Sequence, residues 1–147
     1  AVTVHINYLL VLDEISRAEN AYPHMTGAYA TIQVQWKFPR QGWIKCNTDG
    51  ALVSQNQQAD CGGVFRNESG AWLGGFARKL GSCSALMAEL WGILSALQLA
   101  KEKGYRKVIL ESDSTVAIDL IVKDYPDNHP CATIVSFINR LKMQEWE

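Results

Sequence analysis

From Gly81 to Ala100 the chain reads GSCSALMAELWGILSALQLA, and Glu89 is the one charge in it. Leu86, Leu90, Ile93, Leu94 and Leu97 recur at three- and four-residue spacing, the period of an amphipathic helix. Glu89 lies three residues after Leu86 and four before Ile93, so it shares the apolar face. An ionised carboxylate removed from water costs several kcal/mol unless it is paired or coordinated. The rest of the chain must therefore provide both a layer for this helix to cover and a partner for Glu89.

The layer is readable from Trp43 onward. Trp43 to Leu52 alternates apolar Ile44 and Cys46 with polar Lys45, Asn47 and Asp49, as a strand does. Cys61 to Asn67 and Ala71 to Leu80 predict two more strands around a turn at Asn67-Glu68-Ser69-Gly70. The pairs Gly62-Gly63 and Gly74-Gly75 suggest bulges or close backbone approach. The long helix follows, from a Ser82 or Ser84 cap to a stop near Gly104. Arg106 to Ser112 predicts an interior strand, Asp113 to about Lys123 a helix, and Cys131 to Met143 a last helix. Glu145-Trp146-Glu147 reads as the first step into another strand.

Ahead of this, residues 4–20 read as a helix with Leu9, Leu10, Leu12 and Ile15 on one side. Residues 21–42 carry Pro23, Gly27, Pro39 and Gly42 and read as a connector. Within it, Trp36 to Arg40 mixes cations with aromatics, either as a backbone-binding strip or as a loop pinned by Trp36. The expected division is an N-terminal helix and linker over 1–35 and a main domain over 36–147. The expected fold class is α/β (mixed α+β). Three antiparallel strands come first, then a parallel strand reached by a helical crossover, with flanking helices and the last strand cut short.

A net charge of −1 advertises no global attraction to nucleic acid, so any such binding has to be local. Four cysteines without a C-x-x-C pair indicate neither zinc nor a disulfide framework, and suit reduced thiols inside a cell. No segment reads as a membrane span or a signal peptide, leaving nucleus or cytoplasm as the expected location.

Asp49 and Asp113 join Glu89 as carboxylates in conspicuous places. Asp49 is followed by Gly50 and Ala51, which leave backbone open to a ligand. Asp113 ends the fourth predicted strand, where sites collect in such sheets. Each has an ordinary alternative: Asp113 as a helix cap, Asp49 in a turn, Glu89 paired with Arg78 or Lys79. Clustered carboxylates repel, and an oxygen-only set with few histidines points to Mg²⁺ or Mn²⁺.

The motifs Thr48-Asp49-Gly50, Ala88-Glu89-Leu90 and Glu111-Ser112-Asp113-Ser114 occur in collinear order within residues 36–147. Together with the intervening sequence they closely resemble type 1 ribonuclease H, in the plant form associated with reverse transcriptases of non-LTR retrotransposons. The resemblance implies a five-stranded mixed sheet and endonucleolytic cleavage of the RNA strand of RNA–DNA hybrids. It implies Asp49, Glu89 and Asp113 as catalytic ligands of two Mg²⁺ (or Mn²⁺) ions, with no small-molecule cofactor and no membrane partner. By the same resemblance, Gly50, Ala51, Ser84, Ala85 and Ser114 would line the nucleic acid, and other domains of a larger polyprotein would be partners.

The chain also departs from the family. The family's fourth carboxylate follows a fifth strand, and Asp119, Asp124 and Asp127 all come too early to replace it. His129 precedes the last helix and does not match the family's mobile histidine. Leu86 and Ala85 stand where amides often precede the helix glutamate. Without a basic protrusion, affinity would rest on Lys45, Arg66, Arg78 and Lys79, and a missing last strand would expose a sheet edge. The alternatives are a catalytically impaired module that binds nucleic acid or protein, and a DNA-directed nuclease of the same superfamily. The T-D-G and A-E-L motifs favour ribonuclease H over the DNA-directed nuclease.

Overall fold

In the computed structural model, which describes residues 2–6, 37–53, 55–123 and 125–146, five strands form one mixed sheet. They are β1 (Val2–Ile6), β2 (Ile44–Val53), β3 (Gln58–Arg66), β4 (Trp72–Ser82) and β5 (Val108–Ser112). The spatial order is β1-β5-β2-β3-β4. β2, β3 and β4 make the expected antiparallel meander, and β5 runs parallel to β2. The turn between β3 and β4 is organised by Asn67, whose side-chain oxygen accepts from the Ser69 and Ala71 amides.

Gly62, Gly63 and Gly75 prove to be points of close approach, while Gly74 adopts a positive φ of 143°. A Cβ on Gly75 would lie 2.6 Å from the Gly63 carbonyl oxygen, so neither strand could come so near with larger residues. One register shift, at Phe65/Arg66, lies beside Gly74, and the other, at Ala59/Asp60, lies opposite Lys79 and Gly81.

Helix α1 (Ala85–Glu102) is the predicted apolar helix, capped by Ser84, whose side chain accepts from Met87 N–H. It lies over β2 and β3. Leu90, Ile93 and Leu97 are fully buried against Cys46, Phe65, Val108 and Leu110. Each such side chain contributes about 1.5–3 kcal/mol relative to exposure. Helices α2 (Thr115–Val122) and α3 (Ala132–Met143) close the same core with Leu120, Ile121, Ile134 and Ile138.

The ends of the chain differ from expectation. Residues 4–6, expected to open a helix, belong to β1; residues 7–20 lie outside the described residues. β1 pairs in parallel with β5 from Val2↔Val108 to Ile6↔Ser112. The alternating, β-branched run Val2-Thr3-Val4-His5-Ile6 suits a ladder whose partner is distant in sequence. The edge of β5 expected to lie open is therefore covered. Glu145 and Trp146 form no strand: the Trp146 indole N–H donates to the Leu141 carbonyl at 3.2 Å and the ring packs on the core. Trp36 lies outside the described residues, and in that connector it is Pro39 that is buried. Among the described residues, no helix is long and apolar enough to cross a membrane.

Candidate metal centre

The parallel register of β2 with β5 ends at Thr48↔Ser112, and one step further the two chains carry Asp49 and Asp113. Adjacent strands lie about 4.8 Å apart, so these two carboxylates start as neighbours. Glu89 reaches them because Gly50 has no side chain. A Cβ there would stand 2.5 Å from the Ala88 carbonyl carbon and from the Glu89 nitrogen. The backbone of α1 thus rests directly on β2, and the Gly50 N–H donates to the Glu89 carboxylate. Oxygens of Asp49, Glu89 and Asp113 all lie within 4.8 Å of one another.

Asp49 is exposed, while Glu89 and Asp113 are half-buried. Burial, and next the charge of Asp113, push the Glu89 carboxyl up to about 7; the Gly50 N–H and the Ser112 hydroxyl act in the opposite direction. Three of the ordinary alternatives for these residues do not hold. Ser114, not Asp113, caps α2, accepting from Ala117 N–H at 3.2 Å. Arg78 is engaged elsewhere, 4.6 Å over the Trp91 ring and donating to Ser95 Oγ at 3.3 Å. Asp49 lies within β2 and not in a turn.

Two donor oxygens bound to one octahedral Mg²⁺ are at most about 4.2 Å apart. A 4.8 Å span of hard oxygen donors therefore needs only a small adjustment to share an ion. Among the described residues no histidine or cysteine joins the cluster, so its chemistry suits Mg²⁺ or Mn²⁺.

The residues expected along the nucleic acid fall into two groups. Ala51, Ser84 and Ala85 are exposed. Gly50 is largely covered by α1, and Ser114 is half-buried at its cap. Lys45, expected among the surface cations, is buried: its Nζ is 2.6 Å from Glu111 and donates to the Lys37 carbonyl. Asn47 donates to the same carboxylate at 2.8 Å. This network, two residues before Asp49 and Asp113 on the two strands, is not evident from the sequence. Ser112 is equally unmarked there, although it lies inside the E-S-D-S motif.

The sheet order, the crossover helix and the acidic cluster define a ribonuclease H-like fold. Residues 47–147 match the family described as reverse transcriptase-like, and the chain belongs to it. An Arabidopsis thaliana protein named "Putative ribonuclease H protein At1g65750" is 40% identical over 135 residues, covering 90% of this chain and 22% of that protein. The chain thus spans about a fifth of that relative's length. Among solved structures, ribonuclease H1 from Halobacterium salinarum superposes with a TM-score of 0.62 at 20% identity, over 67% of this chain and 76% of the other. LC11-RNase H1 in complex with an RNA/DNA hybrid gives 0.62 at 21% identity, over 70% and 78%. At these identities the two structures speak to the fold.

Proposed function

We propose that this domain is a metal-dependent endoribonuclease that cleaves the RNA strand of RNA–DNA hybrids by two-metal-ion hydrolysis. The observation that carries the reading is the convergence of Asp49, Glu89 and Asp113 within 4.8 Å on a ribonuclease H-like sheet. Two ions, Mg²⁺ or Mn²⁺, held there would supply an activated water and stabilise the leaving 3′-oxygen of an in-line displacement. The protein's share is to hold three carboxylates at fixed spacing. Asp49 presents its charge to solvent and substrate. Glu89 is anchored from behind by Gly50 and Ser112, and Asp113 is fixed at the end of β5 by the α2 cap that follows it.

Ala51, Ser84 and Ala85 form an exposed rim suited to the backbone and 2′-hydroxyls of RNA. Ser114 and Gly50 act beneath that rim, by supporting the carboxylates. With Lys45 buried and Arg78 held by Trp91 and Ser95, exposed Lys79 on β4 is a cation offered to phosphate. The functional unit is residues 36–147 together with β1. It works on nucleic acid in the nucleus or cytoplasm, beside the other domains of a longer polyprotein.

The test is cleavage of a hybrid labelled on its RNA strand, with Mg²⁺ or Mn²⁺, beside an Asp49→Asn control. Metal-dependent product from the wild type, lost in the control, supports the reading. No product, or equal product from both, sinks it.

A further inference from the structure

Ser112 ends β5 at 1% exposure, between the sheet, α1 and the start of α2. Its Oγ accepts from the Ser114 N–H at 3.2 Å and lies 3.4 Å from Glu89 Oε2. A serine hydroxyl has one proton and two lone pairs. With the Ser114 N–H occupying a lone pair and no exposure to water, the proton goes to Glu89. Ser114 is itself fixed, because its own Oγ caps α2. The direction of the whole relay is set: Ala117 N–H to Ser114 Oγ, Ser114 N–H to Ser112 Oγ, and Ser112 O–H to Glu89. The Gly50 N–H meets the same carboxylate from β2.

Both donors to Glu89 are neutral. A lysine or arginine in their place would neutralise the carboxylate and compete with a cation. A hydroxyl and an amide orient it while leaving its charge available. We infer that Ser112 is a positioning residue for the metal centre: it turns Glu89 toward Asp49 and Asp113 and couples that orientation to the N-terminus of α2. This rests on reading the three carboxylates as an ion site.

The experiment uses the full chain and Mn²⁺ alone, titrated calorimetrically at pH 8 into wild type, Ser112→Ala, Ser112→Thr and Ser112→Val. Thr keeps the hydroxyl, and Val has the same shape without it, so the pair separates hydrogen bonding from packing. Groups that orient metal ligands typically account for about 10–100-fold in affinity. Ala and Val are expected to weaken Mn²⁺ binding at least about tenfold, with Thr close to wild type. Thermal midpoints in metal-free buffer are measured on the same samples. In hybrid cleavage, excess metal is expected to restore the Ala variant, which a mere folding defect would not permit. Wild-type affinity in Ala and Val overturns the assignment, and so does an equal loss in Thr and Val. Absence of Mn²⁺ binding by the wild type itself fails the metal reading as a whole, and is distinguishable from either.

Discussion

Gly50→Ala places a methyl group where the structure has none to spare. The new Cβ would stand 2.5 Å from the Ala88 carbonyl carbon and the Glu89 nitrogen, and 2.8 Å from the Ala88 oxygen. Ordinary carbon contacts begin near about 3.5 Å, so α1 must lift from β2 by about 1 Å. The obstacle is helix backbone, which no rotamer change can clear. Overpacking of this kind costs about 1–3 kcal/mol, a fall in Tm of about 3–10 °C for a chain of this size. The same displacement carries Glu89 away from Asp49, and a 1 Å error in a catalytic group costs about 100-fold in rate. Gly92 lies on the same interface and provides the contrast. There the nearest atom to an added Cβ is the Asp49 carbonyl oxygen at 3.3 Å, and helix propensity favours Ala by about 1 kcal/mol. Gly92→Ala is expected to be nearly neutral in both assays. The measurements are thermal denaturation and hybrid cleavage for the two variants side by side. Wild-type values for Gly50→Ala, or equal effects of the two substitutions, would refute the packing argument.

The Glu89 carboxyl, pushed up to about 7 from an ordinary 4.5, holds a proton in the folded state that the unfolded chain has already released. In metal-free buffer stability should therefore fall as pH rises from about 4.5 to about 7, and Glu89→Gln should flatten that slope in a series of urea denaturations. Divalent-ion affinity should rise with pH over the same window, because the ligand form is the carboxylate; calorimetry at pH 6 and pH 8 checks this. Lys45→Met leaves the half-buried Glu111 beside Asn47 without its cation, and a loss of about 1–3 kcal/mol is expected by equilibrium unfolding. Ser84→Ala should cost about 1 kcal/mol through the lost cap, while Ser84→Gly should cost only a few tenths. A rise in KM for hybrid in both variants, out of step with these stabilities, would mark a separate contact of Ser84 with nucleic acid.

Much of the frame was legible because its signals are local. Alternation over residues 44–52, the turn residues at 67–70 and the leucine spacing from 86 to 97 each determine an element without reference to distant partners. Glu89 was conspicuous because an apolar helix makes a lone charge expensive. The features that escaped depend on tertiary neighbours. Val2 to Ile6 alternates as a strand, but the leucines at 9, 10 and 12 draw a periodicity reading toward helix, and only pairing with β5 decides the matter. Trp146 looks like the start of a strand until the Leu141 carbonyl is available to its indole. Lys45 reads as a surface cation because nothing in the local sequence marks Glu111, on β5, as its partner. Gly50 stands out in the sequence as open backbone, but that the backbone of α1 rests on it depends on packing between distant segments. Ser112 acquires meaning only when α1 brings Glu89 over the end of β5.

The proposed chemistry requires three carboxylates to form one ion-binding centre. Its most direct test is an anomalous difference map from crystals of the chain soaked in Mn²⁺. Density is expected within coordination distance, about 2.0–2.3 Å, of oxygens from Asp49, Glu89 and Asp113 together, and should vanish in Asp113→Asn. Peaks confined to other carboxylates, or none at a concentration that supports cleavage, would contradict the account.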